Sequence, residues 1–230
     1  MRLRLLITGA AVAACAALGL SAPALAAPAG VHPDGTTACG AACLNVSSET
    51  FGPADVLNFA NSGKITLRQA SDVYTNEDLA IVGGSILTVN AYEQAGLISK
   101  TSYAYLHYRW HFAAQIVKAP DGVISDTCIG VASTATNGEN VTGQPCDTGG
   151  SRTLWIFDPA NAQVPGSDCL DASTYCPVIN GSDANPTVPE VLTAVGVGKA
   201  LQVDRMTGDT ASSPNAEDLQ QFEYTTGPNP

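Results

Sequence analysis

The hydrophobic residues of this chain fall into short runs, which are separated by clusters of glycine, proline, asparagine, aspartate and serine. Short apolar or β-branched runs bounded by turn-forming residues predict β-strands. We predict strands at residues 65–67, 79–82, 85–89, 114–117, 123–124, 154–157 and 191–195. The predicted fold class is therefore all-β, as a barrel or a sandwich.

Few segments have a helical pattern. Residues 53–59, which follow Gly52, and residues 91–97 are candidates for short helices, but neither has enough helical turns to change the class. Residues 27–38 and 225–230 are rich in proline, glycine and threonine, which predicts a loose N-terminal segment and a loose C-terminal tail. We therefore predict a single β domain over residues 39–224.

The N-terminus has the order of a cleaved secretory signal peptide. Arg2 and Arg4 precede an apolar run at residues 5–20, and the small-residue triplet Ala24-Leu25-Ala26 follows it. The run is shorter than the ~20 residues that span a bilayer, so a membrane anchor is not predicted. We predict a signal peptide at residues 1–26 and an extracellular protein. The short, alanine-rich leader indicates a bacterial source, and lipoprotein processing at Cys15 is the alternative.

The chain is acidic, with a formal charge of −11 at pH 7, and removal of the leader takes away two further positive charges. Phosphate backbones and anionic lipids repel such a surface, because like charges raise the free energy of association. We therefore predict neither a nucleic acid nor a membrane as a partner.

Six cysteines remain once the leader with Cys15 is removed, an even number that predicts three disulfides outside the cell. Fifteen pairings are possible in principle. The cysteines form three local couples, and local pairing is the prediction: Cys39 with Cys43, Cys128 with Cys146, and Cys169 with Cys176. No C-x-x-C pair occurs and the histidines lie apart from the cysteines, so no zinc site is predicted.

Residues 127–158 carry the most informative pattern. A strand begins at Cys128, a turn follows at Asn137-Gly138, a second strand ends at Cys146, and a third strand carries Trp155. This order resembles one repeat of the ricin-type β-trefoil lectins, in which a C-L-D-V strand, a glycine turn, a strand ending in cysteine and a Q-x-W motif succeed one another. The resemblance gives a reason for the Cys128–Cys146 bond and implies a β-trefoil-like barrel.

The same resemblance implies two further repeats, which begin at Cys43 and at Val191. In the family, the tryptophan of each repeat meets its equivalents in the core, and the matching positions here are Leu79, Trp155 and Phe222. The intervals between these residues exceed the family's repeat length. The resemblance therefore requires long insertions at residues 83–125 and 160–189, outside the barrel. A β-sandwich is the alternative fold.

Sugar binding in the family depends on the aspartate of C-L-D-V, and the matching positions here are Asn45, Gly130 and Ala194. Only Asn45 keeps a polar side chain, so any surviving sugar site is predicted there, with poor affinity. A second candidate ligand surface is the polar side of an aromatic strand, with Tyr105, His107 and Arg109.

No catalytic machinery is visible. The D-T-G of residues 147–149 matches an aspartic-protease motif, but no second copy supplies the partner carboxylate. Asn180, Asp183 and Asn185 are too few oxygen ligands for a calcium site. We predict a secreted, non-catalytic binding module without metal or cofactor, directed at extracellular carbohydrate. A secreted hydrolase or a protease inhibitor on a β scaffold is the alternative.

Overall fold

The computed structural model describes residues 30–31, 37–39, 43–69, 79–82, 93–94, 96, 98–99, 112–146, 151–157, 175–183, 188–207 and 218–226. Within these ranges the chain is all-β, as predicted, and its main sheet is antiparallel and curled. Short 3-10 turns occur at Pro120–Gly122, Ser151–Thr153 and Asp218–Gln220. Of the candidate helix at residues 91–97, Glu93 and Gln94 are helical.

The strands are, in chain order, β1 (Gly30–Val31), β2 (Thr37–Ala38), β3 (Cys43–Ser48), β4 (Gly52–Phe59), β5 (Ile65–Gln69), β6 (Leu79–Val82), β7 (Phe112–Lys118), β8 (Thr127–Gly130), β9 (Glu139–Asn140), β10 (Thr142–Pro145), β11 (Leu154–Phe157), β12 (Tyr175–Cys176), β13 (Val178–Asn180), β14 (Glu190–Thr193), β15 (Gln202–Arg205) and β16 (Phe222–Thr226).

The predicted strands at residues 65–67, 79–82, 114–117 and 154–157 are confirmed as β5, β6, β7 and β11, and the strand predicted at 191–195 corresponds to β14. The strand predicted at residues 85–89 lies outside the described residues. Residues 123–124 are not a strand, because the amide of Val123 donates to the carbonyl oxygen of Pro120 and continues the 3-10 turn.

The predicted helix at residues 53–59 is wrong, because this segment is the long strand β4. It pairs with β5 from Asp55 opposite Gln69 to Phe59 opposite Ile65. Its second half is buried, so tertiary packing overrides the helix-opening signal of Gly52 and the proline after it.

Neighbouring strands of the main sheet follow the order β12, β16, β3, β6, β7, β11, β13, β14, β15 and β9. β4 pairs with β3 and β5, and β8 pairs with β7 and β10. β12 and β13, which lie far apart in this order, are separated by one residue of chain. The first strand of the sheet and the last one are also neighbours, because β3 pairs with β16 over five residue pairs.

The two segments predicted to be insertions outside the barrel are part of the sheet, because both contain sheet strands. The prediction is wrong in this respect. β7 lies in the segment 83–125 and is hydrogen-bonded between β6 and β11. β12 and β13 lie in the segment 160–189 and pair with β16 and β11. Each segment therefore brings a buried strand into the fold.

Three hairpins, β4–β5, β8–β10 and β14–β15, meet through a closed cycle of backbone hydrogen bonds, which we call the backbone triangle. The amide of Ile65 donates to the carbonyl oxygen of Val141 (3.2 Å), that of Val141 to Leu201 (2.8 Å), and that of Leu201 to Ile65 (2.8 Å). All three residues are fully buried. Each hairpin thus donates one of these hydrogen bonds to one neighbouring hairpin and accepts one from the other.

The main core contains Leu79, Trp155 and Phe222, the three residues for which the resemblance implies a central position. A second, smaller core lies on the other side of the sheet. β11 contributes to both, since alternate side chains of a strand point to opposite faces: Trp155 belongs to the main core, and Leu154 and Ile156 to the smaller one. Ile98 covers this smaller core from outside the sheet.

Two of the predicted disulfides are confirmed, Cys39–Cys43 and Cys128–Cys146, each with a Cα–Cα distance of 4.9 Å. Cys176 is also disulfide-bonded, whereas Cys169 lies outside the described residues.

Both predicted loose ends contain paired residues. β1 and β2, which pair with each other, lie within residues 27–38. At the other end, Thr225 and Thr226 continue β16 opposite Asn45 and Leu44. The regular structure therefore extends beyond both predicted domain boundaries.

Candidate functional site

A cleft of about 390 Å³ opens where the loop after β8, the 3-10 turn before β11 and the turn after β13 come together. We call it the polar cleft, and its lining residues are Gly96, Ile98, Ser99, Thr134, Ser151, Arg152, Ser182 and Asp183. Its size lies within the range of about 300 to 1,000 Å³ that is typical of small-molecule sites. The smaller core lies directly beneath it, because Ile98 belongs to both.

Gly181 lets the segments around the polar cleft approach one another. A Cβ atom at this position would lie 2.9 Å from the carbonyl oxygen of Ser151 and 3.0 Å from Cγ2 of Ile98. The carbonyl oxygen of Gly181 accepts a 2.7 Å hydrogen bond from the amide of Ser99. A glycine is thus required for this close packing.

The side chain of Asn180 ties two walls of the polar cleft together. Its Nδ2 donates to the carbonyl oxygen of Arg152 at 3.1 Å, and its Oδ1 accepts from the amide (3.0 Å) and the hydroxyl (2.6 Å) of Ser182. The Ser182 hydroxyl oxygen in turn accepts from the amide of Ala135 at 3.0 Å. Because these groups are buried and hydrogen-bonded, they fix the geometry of the site.

The loop that carries Thr134 is held from both sides. The carboxylate of Glu139 accepts from the amides of Ala132 (3.1 Å) and Ser133 (3.2 Å), and the guanidinium of Arg152 donates through Nη1 to the carbonyl oxygen of Ala132. Such local bonds replace the backbone pairing that a loop lacks. The wall of the polar cleft is therefore ordered without a strand.

Three lining groups remain open to a ligand. Within the described part of the chain, the hydroxyls of Thr134 and Ser151 make no hydrogen bond, and Arg152 forms no ion pair. A guanidinium has five N–H donors, of which Arg152 uses one on Ala132. The polar cleft thus combines a positive charge with two hydroxyls.

One lining residue of the polar cleft, Asp183, is acidic. It is fully buried, and its Oδ2 accepts a 3.1 Å hydrogen bond from the amide of Glu190. The Glu190 side chain is 4% exposed, and its carboxylate lies 3.9 Å from Nε of the exposed Arg205. Because both side chains are almost completely buried, their carboxylates present little surface to a ligand.

Of the candidate ligand residues predicted from the sequence, Asn45 belongs to the described part of the structure. It is half-buried on β3, opposite Thr225 of β16, and does not line the polar cleft. Tyr105, His107 and Arg109 lie outside the described residues, as do residues 147–149 with the D-T-G motif. The predicted ligand surface at Tyr105, His107 and Arg109 therefore stays a prediction.

Three residues occupy equivalent positions on the hairpins of the backbone triangle. Gly130 lies opposite Thr142, the residue that follows Val141 of the triangle. The residues in the same position on the other two hairpins are Asn58 and Thr193. The sequence alignment matches Gly130 with Asn45 and Ala194 instead, so the two correspondences differ at two of three positions.

None of these three positions offers an open acceptor. Asn58 is fully buried, with its Oδ1 bonded to the hydroxyl of Thr66 (3.2 Å) and its Nδ2 without a hydrogen-bond partner. Thr193 is buried and donates to the carbonyl oxygen of Val191. At Gly130 a Cβ atom would lie 2.8 Å from the carbonyl oxygen of Arg152. The geometry therefore favours the polar cleft as the candidate site.

The chain matches no protein-family model and no curated protein. Over the described ranges, no helix is long and apolar enough to cross a membrane. In the same part of the chain, histidine, cysteine, aspartate and glutamate side chains form no group of three or more that could hold a metal ion. Any functional argument must therefore come from the site itself.

The sequence analysis does not bring the residues of the polar cleft together. It places Gly96 in a candidate helix and Asp183 among oxygen ligands too few for calcium, and it assigns no role to Thr134, Ser151 or Arg152. The signal that was available is the single arginine, Arg152, beside Ser151 in an acidic chain. The sequence does not show that Thr134 and Ser99 lie close to Ser151 and Ser182, because this arrangement depends on contacts between distant segments.

Proposed function

We propose that this chain is an extracellular, non-catalytic binding module that takes a carbohydrate in the polar cleft. The observation that carries the proposal is the combination of Arg152 with the open hydroxyls of Thr134 and Ser151 in an ordered cleft of sugar-sized volume. Polyhydroxylated ligands are recognised by such convergent polar groups. The disulfides are consistent with a location outside the cell.

For the fold, we infer a β-trefoil, the architecture implied by the resemblance to ricin-type lectins. Three groups of four strands support it when β12 and β13, which are one residue apart, are counted as one strand: β3–β6; β7, β8, β10 and β11; and β12/β13, β14, β15 and β16. In each group the second and third strands form a hairpin, and the three hairpins meet at the backbone triangle. Hydrogen exchange tests this inference, because the amides of Ile65, Val141 and Leu201 should be among the slowest to exchange.

Affinity for a single sugar should be weak. A neutral hydrogen bond contributes about 0.5 to 1.5 kcal/mol net, and the polar cleft offers few of them. Its lining residues in the described part of the chain include no aromatic side chain that could stack on a sugar ring. We expect dissociation constants on the order of millimolar for monosaccharides.

A glycan array screened with the mature protein, followed by NMR titration of the sugars that bind, tests the proposal. Thr134→Trp should fill the polar cleft and abolish binding, since Thr134 is exposed and its replacement leaves the core intact. Thr136→Trp, at an exposed position that does not line the cleft, is the matched control. Binding that is lost in Asn45→Ala or Tyr105→Ala but survives Thr134→Trp would move the site to those residues. Turnover of a bound sugar would overturn the non-catalytic assignment.

A further inference from the structure

The polar cleft has an excess of hydrogen-bond donors. Among the described residues, Arg152 keeps four of its five N–H groups after its bond to Ala132, and the hydroxyls of Thr134 and Ser151 can each donate. Of the acceptors at the edge of the cleft, the Ser182 hydroxyl oxygen already binds the amide of Ala135. A ligand that satisfies these donors must bring oxygen acceptors, and a positive charge favours anionic ones.

Arg152 differs from Arg205 in a way that points to an external partner. Arg205 lies 3.9 Å from a carboxylate of its own chain, at Glu190. Arg152 has no ion pair within the described residues, although the chain carries more than twice as many acidic as basic side chains. Arg152 is half-buried as a residue and its guanidinium is held by Ala132, so part of the entropic cost of ordering it is already met.

We propose that the polar cleft selects a carboxylate, carried by an acidic sugar such as a uronic acid. Arg152 receives the carboxylate, and Thr134 and Ser151 receive the neighbouring ring or hydroxyl oxygens. This inference rests on the proposed carbohydrate-binding function. It adds that the bound sugar carries a negative charge. A guanidinium and a carboxylate match in geometry, which gives paired, charge-assisted hydrogen bonds.

Two sources of negative charge on the protein oppose the binding of a carboxylate. The buried carboxylate of Asp183 lies nearby, but it is fully enclosed and hydrogen-bonded to the amide of Glu190. The negative charge of the whole chain repels an anion at long range, and 0.1 M salt screens this repulsion beyond about 10 Å. The contact with Arg152 is local and much less screened. Local recognition therefore dominates at moderate ionic strength.

An NMR titration at constant ionic strength tests the inference with the full mature chain. The probes are a panel of uronic acids, the neutral parent sugar of each, and acetate as a carboxylate without a sugar ring. We expect at least one uronic acid to bind about tenfold or more tightly than its neutral parent, and acetate to bind more weakly than that uronic acid. Arg152→Gln should remove the difference between acid and parent, whereas Arg152→Lys should keep part of it.

Lys199→Gln is the matched control, because it removes one positive charge from an exposed turn outside the polar cleft and should leave the difference intact. If the neutral sugars bind as tightly as the acids, the charge selectivity is overturned and carbohydrate binding stands. If acetate matches the acids and depends on Arg152, the carboxylate site stands and carbohydrate binding falls. If no probe binds, both are overturned. The comparison of acid with parent uses the unaltered chain, so it holds even where a variant fails to fold.

Discussion

The indole Nε1 of Trp155 donates a 2.9 Å hydrogen bond to the backbone carbonyl oxygen of Ile129, and both residues are fully buried. This bond links β11 to β8, two strands that do not pair with each other. The tryptophan that first indicated the repeat therefore contributes both volume and a hydrogen bond to the core.

Replacing the indole of Trp155 should lower the stability of the fold. Trp155→Phe leaves the Ile129 carbonyl oxygen without its donor and opens a cavity, so we expect a loss of about 2 to 3 kcal/mol in the free energy of unfolding. Urea denaturation measures the loss. Ile156→Val, on the same strand, is the control and should cost about 0.5 to 1.5 kcal/mol. Equal costs for the two variants would argue against a structural role for the indole N–H.

Removing the hydroxyl of Tyr224 should stabilise the protein. The side chain is fully buried, its ring packs edge-to-face on Phe157 with centroids 4.6 Å apart, and its hydroxyl has no hydrogen-bond partner among the described residues. Tyr224→Phe keeps the ring and removes the unsatisfied group, so we expect a gain of about 1 kcal/mol in denaturation experiments. Tyr175→Phe, at a half-buried position, should change stability little. A destabilised Tyr224→Phe would indicate a partner for the hydroxyl.

The same tyrosine predicts a dependence of stability on alkaline pH. Burial raises the pKa of Tyr224 well above its ordinary value. The unfolded chain then releases the phenolic proton near pH 10 while the folded chain retains it, so stability falls as pH rises beyond about 10. Denaturation at pH 8 and at about pH 10.5 should reveal a smaller loss for Tyr224→Phe than for the unaltered chain. An equal loss in both proteins would exclude Tyr224 as the source.

Gly130 cannot accept even a small side chain without rearrangement. Gly130→Ala would place Cβ 2.8 Å from the carbonyl oxygen of Arg152 and 2.9 Å from Cγ2 of Thr153, and we expect a loss of about 2 kcal/mol. Gly143→Ala, on the opposite strand, meets only side-chain atoms at 3.1 Å or more and should cost less. Thermal unfolding compares the two variants. A neutral Gly130→Ala would mean that the turn at Arg152 moves readily.

The two disulfides should differ in their contribution to the free energy of unfolding. Cys128–Cys146 closes a loop of 18 residues and Cys39–Cys43 one of 4, so chain entropy gives about 3 kcal/mol for the first bond and about 2 kcal/mol for the second. Double replacement of each pair by alanine, with denaturation measured for both proteins, tests this order. Peptide mapping that links Cys128 to a cysteine other than Cys146 would contradict both the pairing and the repeat.

The sequence predicts the buried strands well, since their apolar runs are short and bounded by turns. β6 and β11 have the predicted bounds, because both begin and end beside residues that cannot extend the run. β4 was taken for a helix, because its N-terminal half, before Val56, is exposed and opens with a glycine and a proline. Its pairing with β3 and β5 decides its conformation.

The sequence could not place the polar cleft. Its members come from four separate segments, and no local periodicity links Ser99, Thr134, Arg152 and Ser182. The sequence also could not identify β7 as part of the sheet. β7 carries no recognisable motif, so the sequence analysis places it in an insertion before the cysteine motif of β8.

The pairing of β3 with β16 joins two segments that are far apart in the sequence. β3 is synthesised well before β16, which covers one of its edges from Leu44 opposite Thr226 to Ser48 opposite Phe222. Until β16 pairs, that edge of β3 exposes unpaired amides and carbonyls, which are a template for association between incompletely folded chains. Asn45, Ser47 and Ser48 make this edge less hydrophobic than a run of branched residues would be. This edge of β3 is therefore protected from aggregation only once β16 has paired with it.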